Sequence, residues 1–158
     1  MSARSEERKG KEPISKARLR LWLKLLKASR MVEEEIRRRL RSRCASTLPR
    51  FDVMSALARA PDGLKMSEIS KRLRVSNGNI TGIVDKLVEE GLVLRVAVPG
   101  DRRANLVCLT AKGQDVFAAH ALTHEAWIDE ILSGLDDDDI AGMVKRLDHL
   151  TATLEERG

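Results

Sequence analysis

Met66-Ser-Glu-Ile69-Ser-Lys-Arg-Leu73-Arg74-Val75-Ser76-Asn77-Gly78-Asn79-Ile80-Thr81-Gly82-Ile83-Val84-Asp85-Lys86-Leu87-Val88-Glu89-Glu90-Gly91 is the stretch whose reading decides the fold. Met66, Ile69 and Leu73 follow helical spacing, Arg74-Val75-Ser76 interrupts it, and Ile80, Val84, Leu87 and Val88 share one face of a second amphipathic run. Helix, short turn and helix make a helix-turn-helix, whose second helix is the one presented to a DNA major groove. Ser76 is suited to cap that helix, since its hydroxyl accepts from a free N–H of the first turn. Gly91 suits its left-handed end.

Two β-prone runs follow, Val93 to Val98 and Asn105 to Leu109. They flank a turn rich in Pro, Gly, Asp and Arg, which reads as a hairpin with the basic tip Asp101-Arg102-Arg103. The expected fold class is mainly α with a small β-hairpin wing: a winged helix-turn-helix attached to a helical dimerisation module.

On the second helix, the wheel that turns Ile80, Val84 and Leu87 inward turns Gly78, Gly82, Asp85 and Glu89 outward, flanked by Asn79, Thr81 and Lys86. A glycine inside a helix costs about 1 kcal/mol relative to alanine. Close approach of the backbone to a DNA groove accounts for that cost; a weak helix start tolerated at the surface is the plainer explanation. Asn79 can pair with an adenine edge and Thr81 can touch a thymine methyl. The carboxylates of Asp85 and Glu89 repel phosphates, so only the first two turns are expected in the groove, with the helix N-terminus favouring a phosphate beside it. The expected DNA contacts are Ser76, Asn77, Gly78, Asn79, Thr81, Gly82 and Lys86 on the helix and Asp101, Arg102 and Arg103 on the wing. An arginine there suits the electronegative minor groove of A·T tracts, with Asp101 orienting Arg103 or Arg95 by a charge-assisted hydrogen bond.

The 158 residues suffice for one domain with a real core, and the net charge of +5 favours an anionic partner without specifying one. Charged residues are 34% of the chain and aromatics 3%, which suits long solvated helices. No apolar run reaches the roughly 18 residues of a membrane span, and no signal-peptide pattern opens the chain. A cytoplasmic protein without membrane association is expected. Cys44 and Cys108 match no metal-ligand spacing and are expected as free thiols.

Outside the central stretch, residues 1–16 read as a disordered basic tail interrupted by Gly10 and Pro13. A long helix is expected from about Ser15 to Arg43, with Leu19, Trp22, Leu26, Val32, Ile36 and Leu40 on one stripe and further leucines at 21, 23 and 25. It is too apolar on too many sides to pack only on a small winged domain, which points to a second copy. Its end carries Arg37, Arg38, Arg39, Arg41 and Arg43, either as cations complementing the helix dipole or as an anion site. Pro49 opens another helix, which Pro61-Asp62-Gly63 ends, and Leu64 adds a short strand against the wing. Thr110 caps a helix running to about Ser133, and Asp136 to Asp139 start a last helix whose Ile140, Met143, Val144, Leu147, Leu150 and Leu154 form a packing seam. The expected organisation is tail 1–16, dimerisation module 17–47 with 111–158, and winged DNA-binding domain 48–110.

The order of elements, with Gly91-Leu-Val-Leu-Arg95, the wing Asp101-Arg-Arg-Ala-Asn-Leu-Val-Cys-Leu109 and the following Thr110-Ala-Lys-Gly113, resembles the MarR family of bacterial transcriptional regulators. The resemblance spans about residues 18 to 155. It implies a homodimer on a pseudo-palindromic double-stranded operator, reading helices in successive major grooves, wings in flanking minor grooves, and frequently repression relieved by a small effector. No cofactor and no metal are implied. Leu21-Trp22-Leu-Lys-Leu-Leu, Leu48-Pro-Arg-Phe-Asp52 and His124-Glu-Ala-Trp127 further resemble members tied to aromatic-acid catabolism, some sensing aryl-CoA thioesters. That resemblance implies an effector site using Trp22, Ser29, Arg38, Arg39, Phe51, His124 and Trp127.

Three other readings stand beside this one. Cys44 next to Arg43 suggests a thiol sensor, but no tyrosine is present to support it. His120 and His124, four apart on one helix, suggest a zinc sensor. A dimeric adaptor that binds no DNA has the same fold but no need of a basic wing tip. For an enzyme there is neither a phosphate loop nor a nucleophile elbow.

Overall fold

Helix α1 runs from Ile14 to Cys44 and ends on Ala45 in the left-handed conformation (φ 46°). It belongs to a computed structural model that describes residues 12–158, apart from the side chains of Asn77, Arg102 and Arg103. The expected tail therefore lies outside the described residues up to position 11, and residues 14–16 are already helical. Helix α2 (Leu48–Ala58) starts where Thr47 Oγ1 accepts the Arg50 N–H, with a proline in its first turn. Strand β1 (Leu64–Lys65) leads into α3 (Met66–Leu73), and Arg74 in the left-handed conformation makes the tight turn into α4 (Asn77–Glu89). Strands β2 (Val93–Val98) and β3 (Asp101–Leu109) form the wing, and α5 (Ala111–Ile131) and α6 (Asp137–Glu155) complete the chain.

The sheet is antiparallel in the order β1-β3-β2, with Leu64 opposite Val107 and Val93 opposite Leu109. This wing corrects the expected one. The second strand starts at Asp101 rather than Asn105, so the tip is only Pro99-Gly100, and Asp101 pairs with Val98. The register then shifts, Ala97 lying opposite Asn105, so residues 102–104 are inserted opposite a single step of β2. Such a bulge leaves its extra residues without a ladder partner, which suits polar residues of poor strand propensity, and bends the strand end.

Two apolar clusters build the interior. Val53, Met54, Leu57, Leu64, Ile69, Ile80, Val84, Leu87, Leu92, Val93 and Val107 lie beneath the helix-turn-helix and wing. Ile36, Leu40, Phe51 and Trp127 join α1, α2 and α5, and Phe117 packs against both clusters. Helix α4 shows which term wins locally. Ile80, Val84 and Leu87 are 1%, 0% and 0% exposed, and burying such a side chain contributes about 2 kcal/mol. Three of them outweigh two helical glycines at about 1 kcal/mol each.

The far ends of the helical module lack this cover. Leu19, Leu21, Trp22 and Leu23 on α1 are more than half exposed, and α6 has no buried residue. The start of α6 is nonetheless well formed: Asp136 accepts the Asp139 N–H, and Asp139 accepts the Asp136 N–H in return.

Candidate nucleic-acid interface

Ser76 begins the candidate face: its Oγ accepts the Asn79 N–H and so starts α4 at a defined residue. From there the chain places Gly78, Asn79, Thr81, Gly82 and Lys86 on the exposed face, opposite Ile80, Val84 and Leu87. Asn77 is the first helical residue. A Cβ built on Gly78 or Gly82 meets nothing within 4 Å. Among the described residues, therefore, nothing requires glycine at either position. Thr110 starts α5 in the same way, its Oγ1 accepting the Gly113 N–H while donating to the Gly91 carbonyl at 2.7 Å.

The wing is tied to α4 by an ion pair between Arg95 and Asp85. Of the two arginines expected as partners of Asp101, Arg103 or Arg95, Arg95 pairs with Asp85, so Asp85 does not face solvent as an uncompensated anion. Asp101 is exposed on β3, and the backbone of Arg102 and Arg103 continues that strand. The far end of α4 is held from two sides: the Arg50 guanidinium forks onto the Glu90 carboxylate, with Nη1 3.0 Å from Oε1, and Lys112 Nζ donates to the Glu90 carbonyl at 3.1 Å. Arg50 first, then Lys112 and Lys86, hold the Glu90 carboxyl below its ordinary range. No sequence pattern announced this junction, because Arg50 and Glu90 are 40 residues apart.

The residues expected at an effector site are only partly brought together. Phe51 stacks on His124 with ring centroids 4.7 Å apart, and Trp127 packs in the same cluster at 4% exposure. Trp22 and Ser29 lie instead on the exposed half of α1. The arginine run also departs from expectation. Arg37 pairs with Glu33, Arg38 with Glu35, and Arg39, only 8% exposed, with both Glu35 and Glu130. Arg38 first and then Arg39 hold the Glu35 carboxyl at about 2. Three of the cations expected for an anionic effector are thus committed within the protein, with Arg39 clamping α1 to α5. Sequence reasoning missed a cleft of about 340 Å³ lined by Arg37, Arg41, Thr47, Leu48, Pro49 and Ile83. Beside it, Glu33, Asp52, Val75 and Ile80 line a smaller one of about 180 Å³. Burial first, then Glu33, pushes the Asp52 carboxyl up.

Residues 47–104 match the MarR family. A MarR family transcriptional regulator from Silicibacter pomeroyi, known by crystal structure, is 31% identical with a TM-score of 0.72, covering 94% of this chain and 100% of that one. This chain belongs to the MarR family. The HTH-type transcriptional regulator MhqR of Bacillus subtilis is 29% identical over 136 residues, covering 82% of this chain and 90% of that protein. FabT of Streptococcus pneumoniae, crystallised in complex with DNA, is 27% identical with a TM-score of 0.70, covering 89% of this chain and 99% of that one. The chain is a winged helix-turn-helix, DNA-binding transcriptional regulator and not an enzyme. Among the described residues, no helix is long and apolar enough to cross a membrane, and no three His, Cys, Asp or Glu side chains gather as a metal site.

Proposed function

We propose that this MarR-family regulator is a cytoplasmic homodimeric repressor that reads a pseudo-palindromic operator with α4 and the wing, and leaves it when a small aromatic effector binds. The observation that carries the reading is the outer face of α4: two glycines that nothing among the described residues requires, beside exposed Asn79 and Thr81. Ser76 to Lys86 approach the major groove, and Asp101 to Arg103 the flanking minor groove. Residues 48–110 act as the DNA-binding domain, and 17–47 with 111–158 as the dimerisation module. The half-exposed apolar stripes of α1 and α6 support that division, because a second copy would cover them.

For the effector we favour the cleft between α1, α2 and α4. Arg41 lines it, as does Arg37 in its pair with Glu33, and Ile83 of the reading helix forms part of its wall. A bound aromatic acid there touches the reading helix directly, and binding one helix position better than the other shifts the population off DNA. The ion pairs of Arg37, Arg38 and Arg39 leave less for CoA phosphates, so the free acid is favoured over its thioester.

The test is operator binding to the promoter beside its own gene, at fixed salt, with and without aromatic acids and their CoA thioesters. Tight binding relieved by the free acid is expected. Absence of binding at low salt sinks the proposal, and binding indifferent to every compound removes its effector.

A further inference from the structure

The reading helix is packed along its inner face by Ile80, Val84 and Leu87, and its C-terminal end is fastened in addition by a polar joint. Glu90, the residue that ends α4, is the fastening point. Its carboxylate receives both terminal nitrogens of Arg50 from α2, and its carbonyl receives Lys112 from α5. The next two residues are held as well: the Gly91 carbonyl by Thr110 Oγ1, and the Leu92 carbonyl by the Thr110 N–H at 3.0 Å. Arg50 is not placed as a contact to DNA. Its side chain is 19% exposed, its terminal nitrogens are used by Glu90, and its Nε is buried without a hydrogen-bond partner among the described residues. A two-pronged guanidinium–carboxylate contact fixes direction as well as distance. Apolar packing along α4 is non-directional, whereas the fork supplies a directional contact at the end of the helix.

We propose that Arg50 and Glu90 form a positioning pair for DNA reading: the fork sets the tilt of α4, and with it the register of Asn79 and Thr81 against base edges, without either residue touching DNA. This rests on α4 being the reading helix. It separates two components of affinity. Non-specific binding comes from phosphate attraction and tolerates a tilted helix; specific binding needs base edges to meet side chains at hydrogen-bond distance.

The discriminating feature is a sign. On electrostatics alone, Glu90→Gln removes a negative charge near DNA and strengthens binding, whereas Arg50→Gln weakens it. On positioning, both weaken specific binding. The experiment uses the full chain and two duplexes of equal length, one selected by the native protein from a random library and one of random sequence, each at two salt concentrations. We expect Arg50→Gln and Glu90→Gln each to lower affinity for the selected duplex about tenfold, while affinity for the random duplex changes less than about twofold. The double variant is expected to be no worse than either single one, and the exchange Arg50→Glu with Glu90→Arg to recover part of the loss. Tighter binding of both duplexes by Glu90→Gln, or unchanged binding by both single variants, overturns the proposal. Should Arg50→Gln fail to fold, Glu90→Gln decides alone, since the two accounts give it opposite signs. Asn79→Ala runs in parallel: if it spares the selected duplex, the reading-helix assignment fails; if it loses that duplex while Glu90→Gln does not, only the positioning pair fails.

Discussion

Gly113 and Gly82 show how differently two glycines in helices can be constrained. A Cβ on Gly113 would lie 1.9 Å from the Leu92 carbonyl oxygen, because the first turn of α5 packs backbone to backbone on the segment leaving α4. That contact explains why a glycine follows the Leu-Thr of the wing. Backbone cannot yield as a side-chain tip does, so Gly113→Ala is expected to destabilise the fold by roughly 3 kcal/mol. Chemical denaturation reads this directly, and a loss within error would mean that α5 can shift at little cost. Gly82 meets nothing. There, Gly82→Ala is expected to stabilise the free protein by about 1 kcal/mol while weakening operator binding. A thermal melt and a binding isotherm on the same sample separate the two effects, and a variant that gains stability and keeps its affinity would mean that no backbone approaches at that point.

At the scale of elements, α1 and α5 are joined by Arg39 between Glu35 and Glu130, and the pH dependence of that joint has a definite sign. The Glu35 carboxyl is held at about 2, against an ordinary 4.5, by Arg38 first and Arg39 second, and Glu130 is lowered by Arg39. A lowered pKa contributes stability that is complete above the unfolded value and is lost as pH falls through the folded one. For Glu35 the window is therefore from about 4.5 down to about 2. Asp52 acts oppositely, since its raised pKa favours the folded state as pH falls and loses that contribution as pH rises through the folded value. Melting temperature should fall with acidification through this window, and fall less steeply in Glu35→Gln. Equal slopes for the two proteins would show that the ion pair is too solvated to matter. The wing teaches a related lesson about elements. Its bulge was not legible, because Asp, Arg and Arg in succession read as turn; pairing of Asp101 with Val98 of β2 carries the strand past them.

For the whole molecule, the apolar stripes of α1 and α6 are left about half exposed by the described residues of a single chain. Ile140, Met143, Val144, Leu147, Leu150 and Leu154 are each 43–55% exposed, a contiguous line that water does not favour. Leu147→Glu is expected to convert a dimer into a monomer by sedimentation and, by uncoupling two half-sites, to abolish tight operator binding. A dimer unaffected by Leu147→Glu would place the interface elsewhere.

Much of this architecture was readable in advance, for reasons particular residues make plain. Helical spacing at Met66, Ile69 and Leu73, and again at Ile80, Val84 and Leu87, is a local property and survives into the fold. Caps at Ser76, Thr110 and Asp136 are also local, since each satisfies an N–H three residues away. Which face of α4 is inward follows from where the apolar residues stand, so the outward glycines were found too. The sequence by itself therefore determined the order of elements, their caps and the face each turns to its core. Only the tertiary structure decided what joins them: Arg50 to Glu90, Arg39 to Glu130 and Arg95 to Asp85, whereas Arg37–Glu33 and Arg38–Glu35 are pairs at helical spacing within α1. A charged side chain carries no address for a partner on another element. Its partner is set by which helix ends the apolar cores bring within reach.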